Sequence, residues 1–131
     1  METENRNKKV VAVLDDLFFS SKIREAAKTL EIEVEFVKKP DGLNEKISSE
    51  KPSVIIFDLN SRFGSPLEII KKIKSASELK RIPVIGFLSH VQIELKKEAH
   101  RAGCDLVIPR SRFSNDMIEM LRKYSTLPAE D

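Results

Sequence analysis

The sequence predicts one α/β domain built on a doubly wound sheet of five parallel strands, in the order 2-1-3-4-5. Short apolar runs rich in β-branched residues alternate with segments whose apolar residues recur every three or four positions, which are the patterns of buried strands and amphipathic helices. Strands that are apolar on both faces are typical of parallel sheets covered by helices on each side. We expect this domain to span residues 8–125, with short flexible ends at 1–7 and 126–131.

The predicted strands are the apolar runs that end in polar or turn-forming residues. They cover Val10–Leu14, Val34–Val37, Ser53–Phe57, Pro83–Leu88 and Leu106–Ile108.

A helix is predicted after each strand. The second helix is short and weakly patterned, and the other four carry apolar stripes at helical spacing. In chain order, the stripes are Phe19, Ile23, Ala26, Ala27 and Leu30; Leu67, Ile69, Ile70 and Ile73; Val91, Leu95, Ala99 and Ala102; and Phe113, Met117, Leu121 and Tyr124. Pro66 suits the first turn of the helix that carries Leu67, and Gly103 suits the C-terminal cap of the helix that ends at Ala102.

Acidic residues stand where two of these strands end. Asp15 and Asp16 follow the first strand and Asp58 follows the third, which is its neighbour in the predicted order. Ligands of such sheets bind outside the carboxyl ends of the strands. Carboxylates gathered there repel one another unless a cation or proton neutralises them, and oxygen ligands favour Mg²⁺. A carboxylate can also act as a nucleophile and form an aspartyl phosphate.

Several of these residues also fit purely structural roles. Asp15 and Asp16 suit the cap and first turn of the first helix, and Ser89 and Ser114 suit the N-caps of the last two helices. The lone Cys104 is expected in the core. We expect exposed or partly packed histidines, and a solvated helix face formed by Lys71, Lys72 and Lys74.

In these motifs the chain resembles a response-regulator receiver domain of two-component signalling, as an atypical member with the flavodoxin-like fold. The resemblance covers roughly Lys8 to Lys123 and rests on VLDD (13–16), IIFDLN (55–60) and AGCDLVIPR (102–110). It implies that Asp58 accepts a phosphoryl group. It also implies that Asp15, Asp16, Asp58 and the backbone carbonyl of Asn60 hold Mg²⁺.

The chain departs from the family where the phosphoryl group is sensed. Leu88 stands at the position of the family's Thr or Ser, with Ser89 one place later, and Arg110 stands at the position of the family's Lys, after a proline rather than before one. We therefore expect Arg110 to pair with the phosphoryl group, although its planar fork differs from the point charge of Lys. Ser89 can supply the hydroxyl only if the fourth strand slips or bulges by one residue.

Two functions follow from the resemblance. The first is a stand-alone receiver, not an enzyme, which is phosphorylated by a histidine kinase or phosphotransfer protein. It would signal to a separate downstream protein, or form a homodimer, through the fourth helix, fifth strand and last helix. The alternative is a pseudo-receiver that binds a partner without phosphate. A dehalogenase-type hydrolase is disfavoured because it needs Asp-x-Asp after the first strand, where this chain has Asp-Asp-Leu.

Composition narrows the setting. The 23 basic and 21 acidic residues nearly cancel and are spread along the chain, so we expect no nucleic-acid partner. We also expect no membrane association, since no apolar run approaches the length of a membrane span. A single cysteine and a polar start without a signal-peptide pattern predict a cytoplasmic location.

Overall fold

The computed structural model describes residues 9–39, 41–61, 65–90 and 92–125. Five parallel strands form one sheet in the order β2-β1-β3-β4-β5, which confirms the predicted topology. The strands are β1 (Lys9–Val13), β2 (Glu33–Val37), β3 (Val54–Asp58), β4 (Val84–Leu88) and β5 (Leu106–Pro109). The helices are α1 (Leu17–Leu30), α2 (Leu43–Glu50), α3 (Pro66–Ser75), α4 (Ile93–Ala102), α5 (Arg110–Asn115) and α6 (Met117–Ser125).

The sheet separates two hydrophobic cores. Side chains alternate between its faces along each strand, so β1 sends Val11 and Val13 to one core and Val10 and Ala12 to the other. The first core is completed by residues of α2, α3 and α4, and the second by residues of α1, α5 and α6. The sheet is therefore covered by helices on both sides, as the apolar strand sequences predict. The edge strand β2 departs from the doubly apolar pattern, because Glu33 is exposed and Glu35 is only partly buried.

The end of the chain differs from the predicted single last helix. Two helices, α5 and α6, are separated at Asp116, whose backbone N–H still donates to the carbonyl of Arg112 at 2.9 Å. Asp116 also accepts a side-chain hydrogen bond from Nε of Arg112 at 3.1 Å. Ser114 consequently lies inside α5, so the predicted N-cap at Ser114 is wrong.

The start of α4 also differs from its prediction. The N-cap is Gln92, which makes no side-chain capping bond, so the predicted cap at Ser89 is wrong as well. Val91, expected in this helix, lies outside the described residues. By contrast, Pro66 at the first turn of α3 and Gly103 as the left-handed C-cap of α4, with φ of 117°, confirm two local predictions.

Lys74 does not belong to the solvated face of α3. Lys71 and Lys72 are exposed, as expected, but the Lys74 side chain keeps only 15% of its exposure. Its Nζ donates to the carbonyls of Lys80 at 3.1 Å and Ile82 at 2.9 Å, and to Asp105 at 2.9 Å. The Lys74 side chain thus connects the turn before β4 to the residue that directly precedes β5.

The remaining expectations concern single residues and the membrane. Cys104 is buried, as predicted, and burial raises the pKa of its thiol to about 12. His90 and His100 are exposed. Among the described residues, no helix has both the length and the apolar character needed to cross a bilayer. The chain ends predicted to be flexible lie outside the described residues.

Candidate functional site

The site lies at the carboxyl edge of the sheet, where β1, β3, β4 and β5 end side by side. Val13 pairs with Phe57, Asp58 with Phe87, and Leu88 with Pro109. Because parallel strands present the same end at the same edge, the residues that follow them meet there. Asp15 and Asp16 after β1, Asp58 at the end of β3, Ser89 after β4 and Arg110 after β5 all lie at this edge.

Asp16 makes two contacts at this edge. As the N-cap of α1 it accepts a hydrogen bond at Oδ1 from the backbone N–H of Phe19, at 3.0 Å. Its other oxygen, Oδ2, forms a short ion pair with Nη2 of Arg110. Asp15 is exposed. Helix capping and the ion pair with Arg110 are therefore combined in one side chain.

Arg110 reaches Asp16 across a platform of aromatic rings. Its guanidinium carbon lies 4.9 Å from the ring centroid of Phe19 and 5.6 Å from that of Phe87. These two rings stack at 4.6 Å, and Phe113 completes the cluster. A guanidinium over an aromatic face is favoured by about 0.5–2 kcal/mol. The sequence indicated Phe19 and Phe113 only as core residues, and no spacing pattern relates them to Arg110.

Asp58 is half-buried at the end of β3. Its Oδ1 accepts a hydrogen bond from the backbone N–H of Asn60 at 2.9 Å, while no described residue hydrogen-bonds Oδ2. Burial raises the pKa of the Asp58 carboxyl, and the neighbouring charge of Asp16 adds to this shift. The Asn60 N–H and the Arg110 guanidinium oppose it. The carboxylate therefore interacts electrostatically with both Asp16 and Arg110.

Gly86 in β4 makes room for the residue that follows Asp58. A Cβ atom at Gly86 would lie 2.7 Å from Cδ1 of Leu59, far inside van der Waals contact. Leu59 is buried, and its backbone N–H donates to the carbonyl of Phe87 at 2.9 Å. The chain that leaves β3 is thus held against β4, which fixes the direction in which Asp58 and Asn60 are presented.

Side chains also tie the loops after β3 and β4 together. Oδ1 of Asn60 accepts from the backbone N–H of Ser89 at 2.7 Å, and Nδ2 of Asn60 donates to Oε1 of Gln92 at 3.2 Å. The Ser89 hydroxyl donates to the same Gln92 oxygen at 3.4 Å. Gln92 was missed by sequence reasoning, because a single polar residue before a helix gives no signal beyond a cap.

Leu88 ends β4 and is buried in the core beneath α3 and α4. The pairing of β4 with β3 and β5 continues without a slip or bulge, so Ser89 lies beyond the strand. Ser89 could replace the family's hydroxyl only if β4 slipped or bulged by one residue, and the pairing of β4 shows neither.

No family model matches the chain. A curated relative, response regulator Rcp1 from Synechocystis sp., is 26% identical over 132 residues, covering 93% of this chain and 90% of the relative. The structure of Rcp1 in its Mn²⁺-bound form superposes with a TM-score of 0.76 at 20% identity, covering 95% of this chain and 99% of that one.

Two other solved structures share the fold. A response regulator from Hahella chejuensis has a TM-score of 0.83 at 18% identity, covering 95% of this chain and 99% of its own. The phosphorylated cyanobacterial phytochrome response regulator RcpA has a TM-score of 0.71 at 23% identity, covering 89% and 90%. The match to Rcp1 runs through nearly the whole of both chains, and the sheet order agrees with it. The chain has the fold of response-regulator receiver domains and is similar to a response regulator over nearly its whole length.

The oxygen donors at this edge suit a hard cation. Asp15 is exposed, Asp58 keeps Oδ2 without a partner in the described chain, and Asn60 contributes a backbone carbonyl. Asp16 differs from them, because a cation would share its carboxylate with the Phe19 N–H and the Arg110 guanidinium. Within the described ranges, no three Asp, Glu, His or Cys side chains form a ready-made metal-binding group. The roles of Asp15, Asp16, Asp58 and Asn60 in binding a metal stay predictions.

Proposed function

We propose that this receiver domain accepts a phosphoryl group on Asp58, with Mg²⁺ held by Asp15, Asp16, Asp58 and the backbone carbonyl of Asn60. The observation that carries the proposal is the state of Asp58. One carboxylate oxygen is fixed by the Asn60 N–H, and the other has no partner among the described residues at the edge where ligands of such sheets bind. An oriented carboxylate with a free oxygen suits nucleophilic attack.

In the proposed reaction, Asp58 attacks the phosphorus of a phosphohistidine on a kinase or phosphotransfer protein. The new O–P bond forms as the P–N bond breaks, and the departing histidine nitrogen takes up a proton. A bound Mg²⁺ would neutralise charge on the phosphoryl oxygens. The Asn60 N–H orients the nucleophile, and Arg110 lies close enough to act on the charge of Asp58. Asp58 is the acceptor, and the domain turns over no separate substrate.

The surface beside the site supports a protein donor. Leu17 and Phe18, in the first turn of α1 directly after Asp16, are 76% and 70% exposed. Exposed large apolar residues that adjoin a reactive group suit a transient protein contact. Ile93 at the start of α4 is 64% exposed, on the side that we propose for a downstream protein or a second copy. We further propose that this signalling takes place in the cytoplasm.

The test is adduct formation with small reagents, which requires no knowledge of the kinase. Wild-type protein is incubated with Mg²⁺ and acetyl phosphate, and separately with beryllofluoride, and is examined by intact mass and ¹⁹F NMR. We expect one phosphoryl or beryllofluoride adduct per chain, which is lost in Asp58→Asn and kept in Asp41→Asn, since Asp41 is an exposed carboxylate of the turn before α2.

The opposite result has a definite meaning. Buried Leu88 and the pairing of Asp16 with Arg110 are the two features that favour a pseudo-receiver. If wild-type protein forms no adduct while an ordinary receiver reacts under the same conditions, phosphoacceptance is wrong and the phosphate-independent adaptor replaces it.

A further inference from the structure

Arg110 and the divalent cation of the proposed function need the same carboxylate. Asp16 has two oxygens: Oδ1 caps α1 through the N–H of Phe19, and Oδ2 is paired with Nη2 of Arg110. Each oxygen has a further lone pair, but a divalent cation at Oδ2 would lie beside the guanidinium. The two positive charges repel each other, so cation binding favours an open Arg110–Asp16 pair. The cap is part of the fold of α1, whereas the guanidinium belongs to a side chain that can change rotamer.

Arg110 is held in this position by its surroundings. The guanidinium lies over the rings of Phe19 and Phe87, at 4.9 and 5.6 Å, and the side chain is 32% exposed. A planar cation on an aromatic face is favoured, and partial burial strengthens its attraction to Asp16. The pair is therefore an ordered part of the receiver before any ion enters.

The guanidinium of Arg110 is not fully hydrogen-bonded within the described part of the chain. The Nε–H of Arg110 is buried, and it has no hydrogen-bond partner in the described part of the chain. A buried donor without a partner is unfavourable, so this arrangement leaves part of the guanidinium's hydrogen-bonding capacity unused. A cation that interacts more strongly with the Asp16 carboxylate can therefore displace the guanidinium.

The charge around the pair favours such a competitor. Asp15, Asp16 and Asp58 bring three carboxylates to the edge, whereas Arg110 brings a single positive charge. The edge therefore stays negative when the pair is closed, and a divalent cation neutralises more of that charge than one guanidinium does.

We propose that Arg110 is a built-in counter-ion of Asp16, and that a divalent cation binds this receiver only as the Arg110–Asp16 pair opens. This inference rests on the proposed function, because it assumes that the cation takes Asp16 as a ligand. Arg110 thereby sets the cation concentration at which the site loads. The released guanidinium becomes available to Asp58 and its phosphoryl group at the moment of loading.

The experiment measures Mn²⁺ binding without any phosphodonor, from the EPR signal of free Mn²⁺. Arg110→Met removes the charge and keeps an unbranched apolar side chain over the rings. Arg112→Met is the matched control, since Arg112 lies in the same helix, is 69% exposed and pairs with Asp116 instead. We expect Arg110→Met to bind Mn²⁺ about tenfold more tightly than wild type. Arg112→Met should stay within about twofold, the effect of the lost net charge alone.

The outcomes bear differently on the inference and on the proposed function. Equal affinities in Arg110→Met and wild type, with both proteins binding, overturn the inference and leave phosphoacceptance intact. Absence of Mn²⁺ binding in every protein overturns the inference, and also the cation-dependent part of the proposed function. Tighter binding by Arg112→Met to the same extent attributes the gain to net charge and overturns the inference.

A second measurement covers the case in which Arg110→Met does not fold. Mg²⁺ is titrated into ¹⁵N-labelled wild-type protein, and the side-chain Nε–H resonances of the arginines are followed. We expect the resonance of Arg110, assigned through Arg110→Lys, to shift along the same saturation curve as the backbone amide of Asn60. A resonance that stays fixed while the Asn60 amide saturates overturns the proposal.

Discussion

Asp58 is subject to opposing influences on its proton affinity. Burial is the largest and raises the pKa of its carboxyl, and the nearby charge of Asp16 acts in the same direction. The Asn60 N–H and Arg110 lower it, but the net pKa is raised. The folded protein therefore holds this proton more tightly than the unfolded chain does. Ionisation of Asp58 lowers the free energy of unfolding as the pH rises through the folded pKa.

We predict that Asp58→Asn stabilises the folded domain at pH 7, because the unfavourable ionisation is removed. The gain should be roughly 0.5–1 kcal/mol in the free energy of unfolding, measured by urea denaturation with a chelator present. The gain should shrink as the pH falls through about 3.9, the ordinary pKa of an Asp side chain, and vanish well below it, where the wild-type carboxyl is protonated in both states. The exposed Asp41→Asn serves as the control. A variant that is less stable than wild type at pH 7 contradicts the prediction.

Sequence reasoning found the charged residues of the site but not their contacts. Asp16, Asp58 and Arg110 were located by the strand ends that they follow. The pairing of Arg110 with Asp16 joins residues 94 positions apart and depends on side-chain rotamers over Phe19 and Phe87, which no periodicity encodes. For the same reason, the sequence left the capping and chemical roles of Asp16 as alternatives.

At the scale of an element, α3 shows where amphipathic patterning stops being informative. Its spacing places Lys71, Lys72 and Lys74 away from the apolar stripe, and this is right for the first two. Lys74 is covered because the turn before β5 lies over it: a Cβ atom at Gly103 would come within 2.6 Å of Cγ of Lys74. A helical pattern describes one helix and does not include the turn that covers it.

We predict that Lys74→Met lowers the free energy of unfolding by about 2–3 kcal/mol, because three acceptors lose a charged donor at a mostly buried position. Lys71→Met in the same helix is the matched control. Lys71 is 59% exposed and only approaches Glu68 at 3.9 Å, so we expect a change below about 0.5 kcal/mol. Both values come from chemical denaturation at pH 7. Equal losses in the two variants would show that the Lys74 contacts add nothing to stability.

The sequence pattern also did not predict the break between α5 and α6. Phe113, Met117 and Leu121 all face the same core, so their spacing fits one helix or two short helices in line. The hydrogen bond from the Met120 N–H to the Asp116 carbonyl continues the helical ladder at 2.9 Å, which explains why the apolar stripe stays in phase. Periodicity fixes which face is buried, and the local backbone decides where a helix is interrupted.

At the scale of the whole molecule, the fold was predictable because one constraint acts on four of the five strands. Strands β1, β3, β4 and β5 are apolar on both faces, and a sheet covered by helices on both sides removes those side chains from water. The strand bounds moved by a residue or so, for example from Ser53–Phe57 to Val54–Asp58, without changing the order. The two cores are therefore not independent, because they share the backbone of the same five strands.

This sharing predicts that the domain unfolds as one unit. Ile23 of α1 and Ile73 of α3 are fully buried in different cores. We predict that Ile23→Ala and Ile73→Ala each lower the free energy of unfolding by about 2–5 kcal/mol, whereas Leu17→Ala, at a 76% exposed position of α1, changes it little. The far-ultraviolet circular dichroism and the fluorescence of Tyr124, the single tyrosine, should give coincident urea transitions in every variant.

The dependence on urea is the decisive quantity, because its slope reports the surface exposed on unfolding. If both cores break together, the slope is the same in wild type and in the two isoleucine variants, and only the midpoint moves. A smaller slope in Ile73→Ala, or a Tyr124 transition that separates from the circular dichroism, would mean that the helices on one face detach while the sheet persists. In that case the shared strands do not couple the two sides, and a change at Asp58 could not reach both faces of the domain through the sheet alone.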